Sequence, residues 1–279
     1  GEDYVWSASR LETYSTCPFM FFAGSILELE PRQEPILGVD ARQLGNIYHH
    51  IFEALYREAR DPDDLDALLV LLPGVANRIL DEAPAREQFR ITSWWAHSRA
   101  EIIENVRESL EALARIEDNY APYAFEQPFG IGGTPPLVVA RQQGRFKLRG
   151  FIDRVDRAPD GAIRVIDYKT AGPGDFTLAA VRQGKKLQLP LYAVAARDAL
   201  HLGDPREGFY WHVRNASASA FTLRKFGPEK AMDRAVSAAW EIIDAVRAGR
   251  FIPKPPRNGC PGYCPAFTIC WQVQPGYGS

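Results

Sequence analysis

No stretch of this chain reaches the roughly 18 to 20 consecutive apolar residues that a membrane span needs, and nothing at its start reads as a secretion signal. A cytoplasmic protein is the expectation. There is no Gly-x-x-x-x-Gly-Lys-Ser/Thr loop, so the chain cannot itself drive a motor with ATP. A strong charge of either sign is also missing, the formal net charge being −2. That weighs against a uniformly basic nucleic-acid coat, but not against an acidic metal site flanked by a basic track. Internal repeats and low-complexity tracts are absent. So is an initiator Met: the chain opens Gly-Glu-Asp, which reads as a piece cut from a longer protein.

What is present supports a large core. The 279 residues are 46% hydrophobic, with 15 Phe, 11 Tyr and 6 Trp, which excludes disorder. Leu44, Ile47, Tyr48, Ile51, Phe52 and Leu55 recur at three- and four-residue steps and predict a helix over about 40–60. Further helices are expected over about 63–81 and 85–119, after a connector at 31–35. The period then changes to two, and strands are predicted at 124–129, 137–142, 146–157 and 162–170, with turn chemistry at Gly144 and Pro159-Asp160-Gly161. A helix at 188–202, strands at 208–214 and 218–223, and a helix at 228–248 follow. The expected class is a mixed α/β core with an antiparallel meander and helical flanks.

Asp153 and Asp167 fall on neighbouring strands of one hairpin, so their carboxylates can converge at its end. Hard oxygen ligands of this kind suit Mg²⁺ or Mn²⁺, which can activate a water against a phosphodiester. Lys169 shares a strand face with Asp167 and can offset charge on the reacting phosphate. Asp-x-Lys is common on strands, and Asp156 has the plainer option of facing solvent or pairing with Arg154 or Arg157. Gly45, His49 and Glu53 recur every four residues on one helix face; a histidine there can ligate a metal or simply be a satisfied core residue, and His50 points elsewhere. Gln188 and Tyr192 share a face of a later helix and can meet a DNA backbone or a metal-bound water, or merely pack.

In this order, Gly45-x-x-x-His49, Gly150-x-x-Asp153, Asp167-x-Lys169 and Gln188-x-x-x-Tyr192 resemble the RecB-family branch of the PD-(D/E)XK nucleases. The resemblance implies a restriction-endonuclease-like mixed sheet. It implies Mg²⁺ or Mn²⁺ ligation by His49, Asp153, Asp167 and the Tyr168 carbonyl, a catalytic Lys169, and support from Gln188 and Tyr192. Glu126 matches a strand acid that precedes the first aspartate in such proteins, and a structural or accessory role is expected for it.

Cys260, Cys264 and Cys270 cluster near one end and Cys17 near the other. Two disulfides would suit a small secreted chain better than this one. The spacing lacks the paired C-x-x-C of a zinc ribbon; four thiolates with uneven gaps fit a [4Fe–4S] cluster at least as well, with zinc the alternative. Ser7-Ala8-Ser9-Arg10-Leu11-Glu12-Thr13-Tyr14 followed by Cys17-Pro18-Phe19 resembles the start of AddB-type nuclease domains. That resemblance implies an iron–sulfur staple joining the two ends. It also implies one nuclease domain over 1–279: residues 1–35 and 253–279 forming the staple, 40–250 the core, and a helical insert at about 60–120. Arg10, Lys254 and Arg257 with Phe19, Phe21, Phe22, Tyr263 and Trp271 suit single-stranded DNA, or pack the cluster's shell.

The function so implied is end-processing of single-stranded DNA in double-strand-break repair, with a helicase motor in cis or in trans. Three other readings are a CRISPR-adaptation-type iron–sulfur exonuclease, a catalytically inactive DNA-binding scaffold, and a hydrolase of small phosphate esters.

Overall fold

Four strands pair with one central strand, and that strand organises the molecule. The computed structural model describes residues 3–31, 38–142, 144–172, 174, 176–256 and 259–272. All but Pro31 of the expected connector at 31–35, and Arg257, lie outside these residues. The order is β1 (Val5–Ser7), α1 (Ala8–Thr16), α2 (Pro18–Phe21), α3 (Ala41–Glu58), α4 (Leu65–Arg86), α5 (Trp95–Ala114), β2 (Ala121–Phe129), β3 (Leu137–Arg141), β4 (Gly144–Arg157) and β5 (Ala162–Lys169). Then come α6 (Leu178–Arg182), α7 (Gln188–Asp198), β6 (Asp204–His212), β7 (Ser217–Thr222), α8 (Leu223–Phe226) and α9 (Pro228–Arg247).

The first half of β4 pairs in parallel with β1 and antiparallel with β3, and its second half lies antiparallel to β2 and β5. β5 then pairs in parallel with β6 across the α6–α7 crossover, and β7 closes the seven-stranded mixed sheet. A mixed α/β sheet is as expected, and β3–β4–β5 is an antiparallel meander. β1 was not expected: at three residues it is too short to show a period. α4 runs past Asp81 to Arg86 because Ile79, Leu80 and Ala83 keep its buried stripe going. α5 begins only at Trp95, and Gln88, with a left-handed φ of 59°, marks the break from α4.

Two apolar layers sandwich the sheet. On one face Ile166, Tyr168, Phe209 and Trp211 pack under α3, α4 and α5. On the other, Val155, Val165, Tyr210 and Ile152 pack with α1, α7 and α9. A third small cluster gathers Cys17, Met20, Ala23, Cys264, Ala266 and Cys270. Among the described residues, no helix is long and apolar enough to cross a membrane.

Candidate active site

Helix α3 is held at its start by a capping box: Asp40 accepts the Gln43 amide at 2.7 Å, and Gln43 accepts the Asp40 amide at 2.8 Å. Ile47, Tyr48, Ile51, Phe52, Leu55 and Tyr56 bury one stripe of the helix against the sheet. His49 is thereby set at the edge of that stripe, its ring edge-on to Tyr168, and Nδ1 reaches the β2–β4 pair. It lies 3.0 Å from Glu126 Oε1 and 3.5 Å from Asp153 Oδ1.

Glu126 gets there by a distorted backbone. The flanking pairs Phe125 with Arg154 and Gln127 with Ile152 put it opposite Asp153, yet its φ is +43°, a left-handed value inside a strand. Bulk at Cβ makes such a conformation costly, and it marks sites where the surroundings impose geometry. The ligand atoms of His49, Glu126 and Asp153 all lie within 4.8 Å of one another. Sequence reasoning placed Glu126 in a strand with only an accessory role; the φ that turns its carboxylate inward has no sequence signal in a glutamate.

Asp153 is 5% exposed, and its Oδ2 accepts the Tyr168 amide at 2.7 Å. Asp167 is fully buried, with both carboxylate oxygens lacking a hydrogen-bond partner, although Lys169 forms an ion pair with Oδ2. Burial pushes Asp167 up to about 6, against the pull of Lys169, and burial also raises Asp153. His49 moves the other way from what burial alone would do: burial lowers it, but Asp153 and Glu126 outweigh that and lift it to about 9. Lys169 likewise loses charge stability to burial and regains more from Asp167 and Asp153, so it stays an ammonium.

Gln188 Oε1 accepts from Lys169 Nζ at 2.9 Å, and Tyr192 lies one turn further along α7 beside Gln188. The Tyr192 hydroxyl lies against the backbone of β4 at Gly150, where a Cβ would stand 2.6 Å from it. The glycine of Gly150-x-x-Asp153 is therefore a contact surface for the tyrosine of Gln188-x-x-x-Tyr192. Phe52 stacks on Tyr168 at 4.3 Å between ring centres, behind the Asp167–Lys169 strand.

Three further residues behave differently. Asp156 does not face solvent, and of the two arginines expected as partners it takes Arg154 and not Arg157. It is fully buried and takes Arg154 Nε at 2.5 Å and Arg164 Nη2 at 2.7 Å. Glu53 does not reach the site and ion-pairs with Arg57 at 2.9 Å. A Cβ on Gly45 would meet nothing within 4 Å, so no packing within the described residues requires that glycine.

The donor set matches the cations expected of it. Two carboxylates and one imidazole gather within 4.8 Å, and the buried Asp167, outside that group, has two orphaned carboxylate oxygens; oxygen-rich donors of this kind suit a hard divalent ion such as Mg²⁺ or Mn²⁺. At the far end of α1 the four cysteines are all free thiols, with Cys17, Cys264 and Cys270 buried. Burial raises the Cys260 thiol and the neighbouring Cys17 and Cys270 sulfurs raise it further, so this triplet and Cys17 share one locality. The Lys254 amide donates to Cys17 Sγ at 3.3 Å.

A family model described as the PD-(D/E)XK nuclease superfamily matches residues 5–271. Among curated proteins, the chain is 37% identical over 211 residues to an ATP-dependent helicase/deoxyribonuclease subunit of Symbiobacterium thermophilum, covering 70% of this chain and 18% of that protein. The protein of the same name from Moorella thermoacetica is 32% identical over 246 residues, covering 80% of this chain and 20% of the relative. The one from Oceanobacillus iheyensis is 32% identical over 236 residues, covering 77% and 20%. The chain thus spans about a fifth of the length of these relatives. A match across nearly all of the sequence and a mixed sheet presenting Asp153, Asp167 and Lys169 together agree: the chain belongs to the PD-(D/E)XK nuclease superfamily.

Proposed function

We propose that this chain is the nuclease domain of an AddB-like helicase–nuclease, a Mg²⁺- or Mn²⁺-dependent deoxyribonuclease that hydrolyses single strands at DNA ends during double-strand-break repair. The observation that carries the reading is the meeting of His49, Glu126 and Asp153 within 4.8 Å, beside a buried Asp167 ion-paired with Lys169. In this reading residues 1–279 are one domain. A helicase motor, in cis or in trans, feeds it DNA, which the name of the relatives supports.

His49, Asp153, Asp167 and the Tyr168 carbonyl would hold the divalent ion, with Glu126 placed to join them. The bound ion supplies a more acidic attacking water and neutralises charge on the scissile phosphate. The chain's own residues do the rest. The Tyr168 amide fixes the orientation of Asp153 through Oδ2. Lys169, kept charged by Asp167 and Asp153, presents its ammonium to the phosphate, where negative charge grows as the water attacks. Gln188 and, behind it, Tyr192 set the direction of that ammonium, because a hydrogen bond to Gln188 Oε1 leaves Lys169 few other orientations.

The cysteines are proposed to hold a [4Fe–4S] cluster that staples the two ends. Soft thiolates suit iron or zinc. The cluster reading rests on four free thiols that share one locality and on sequence gaps that lack the paired C-x-x-C of a zinc ribbon.

The test is an anaerobic purification followed by an assay on end-labelled single strands. A brown protein with a broad visible band is expected, together with Mn²⁺-dependent degradation that Asp167→Ala abolishes. Retained degradation in Asp167→Ala overturns the active-site assignment, and a colourless protein carrying zinc overturns the cluster.

A further inference from the structure

Helix α7 cannot cap itself. Its N-cap residue is Leu187, which offers no side-chain acceptor, and no hydrogen bond from a cap side chain is made there. The amides at a helix start need partners, and a carboxylate is the best available, since it both accepts their protons and meets the positive end of the helix dipole. Here the carboxylate comes from 175 residues away in the sequence. Glu12 Oε1 accepts the Leu187 amide at 2.6 Å and the Gln188 amide at 3.0 Å.

The residue so fixed is the one that grips Lys169. Gln188 sits at the first position of α7, and its Oε1 accepts from Lys169 Nζ at 2.9 Å. Burial raises Glu12 above the usual carboxylate range, and Lys169, Lys186 and the two amides it accepts counter that only in part. Its own helix is anchored at both ends. Ser7 caps the start of α1, the Tyr14 hydroxyl donates to the Arg250 carbonyl at 2.6 Å, and the helix terminates at Cys17. A rigid rod thus holds the cap of α7 at its middle and a cluster cysteine at its end.

We propose that Glu12 is a positioning residue for the nuclease reaction: by capping the first turn of α7 from α1, it sets Gln188 against Lys169 and so aims the ammonium. This rests on reading Lys169 as the catalytic lysine. Glu12 touches neither DNA nor metal in this scheme, so its effect falls on turnover and not on affinity for either.

The experiment compares Glu12→Ala, Glu12→Gln and Glu12→Asp in the full chain, alone and combined with Gln188→Ala, with Mn²⁺ and an end-labelled single strand. Glu12→Ala is expected to lower kcat by about ten- to a hundredfold, the scale of a misplaced catalytic group. KM, the half-saturating Mn²⁺ concentration and DNA binding in Ca²⁺ should stay within about twofold. Glu12→Gln should recover most of the loss, because a single oxygen, Oε1, takes both amides and an amide carbonyl can replace it. In the Gln188→Ala background the Glu12 substitutions should cost almost nothing further, since both act on one group. If Glu12→Ala fails to fold, as judged by thermal melting, Glu12→Asp carries the same comparison with the charge kept and the reach shortened.

A kcat within twofold of the parent overturns the proposal. So does a loss that appears in KM or in Mn²⁺ dependence, or one that adds in full to that of Gln188→Ala. An active Lys169→Ala would instead overturn the underlying assignment of the lysine, which keeps the two failures distinct.

Discussion

A methyl group added to Gly150 would stand 2.6 Å from the hydroxyl of Tyr192 and 2.9 Å from its ring. The strand that carries Asp153 and the helix that carries Gln188 touch at this point with no room between them. Gly150→Ala is therefore expected to push Tyr192 outward and to disturb Gln188 with it. A displacement near 1 Å at a positioning group can cost about a hundredfold in rate. Removing the hydroxyl takes away the tightest of these contacts and leaves the ring carbon, so Gly150→Ala with Tyr192→Phe should be more active than Gly150→Ala alone without regaining the parent rate. Single-strand degradation rates for the four proteins check this; a double variant no better than the single one removes the steric argument.

Asp167→Asn changes charge and almost no volume. In the fold, burial holds the carboxyl up at about 6, so ionised Asp167 is disfavoured in the absence of a cation. The amide should abolish Mn²⁺-dependent cleavage while leaving the melting temperature of the cation-free protein unchanged or higher at pH 8. A melting temperature lowered by many degrees would mean that Asp167 serves the fold first.

How much of this was readable before the structure depends on how far each feature reaches. The Asp153–Asp167 approach was legible because a tight turn at Pro159 to Gly161 joins their strands, and local turn chemistry fixes hairpins. His49 was legible through the stripe of α3. Glu12 was not: its role comes from α1 meeting α7, and 175 intervening residues leave no pattern. The pairing of Asp156 with Arg154 was among the options the sequence offered, but Arg164, its second partner on β5, joins it only through the cross-strand pairing of β4 with β5. Glu126 sat in a correctly placed strand, but strand periodicity says nothing of a left-handed residue within it.

Asp156 is itself a prediction about stability. It is fully buried between Arg154 and Arg164, and Arg164 also pairs with Asp118. Asp156→Ala leaves Arg154 without its carboxylate and Arg164 with Asp118 alone, and breaking a buried pair from one side costs about 3–5 kcal/mol. The pair of Arg206 with Asp160 is exposed, so water screens it and its loss should cost far less. Denaturant unfolding of Asp156→Ala beside Arg206→Ala gives the comparison, and equal losses would contradict it.

The pH dependence of the cation-free protein follows from two groups that act in the same direction. His49 is raised from 6.5 to about 9, so its contribution is fully present below pH 6.5 and is lost as pH rises toward 9. Asp167 is raised from 3.8 to about 6, so the fold favours its protonated form and loses stability between pH 3.8 and 6. Melting temperature without added cation should therefore fall as pH climbs, and His49→Asn should flatten the limb above pH 6.5. Mn²⁺ should reverse the trend, because it binds the neutral imidazole and the ionised carboxylate. A curve for His49→Asn parallel to the parent's would show that His49 does not feel Asp153 and Glu126 as described.

The cysteine cluster separates packing from metal by a comparison of two states. Cys270 is 5% exposed and packs with Met20, Ala23 and Ala266, so Cys270→Ala removes one sulfur from a small apolar cluster as well as one ligand. The packing part is modest, because alanine keeps the position filled in part and only one heavy atom is lost. The ligand part should be large, because a group that binds only the folded chain adds its binding free energy to stability, and the proposed cluster would tie Cys17 to Cys260, Cys264 and Cys270 across most of the chain. In the metal-free proteins, Cys270→Ala should therefore melt close to the parent, while in the loaded proteins it should melt many degrees lower and lack the visible band. Equal destabilisation in both states would reduce the four cysteines to core residues. A gap that opens only on loading would make them the clasp that holds α1, and with it Glu12, against the nuclease core.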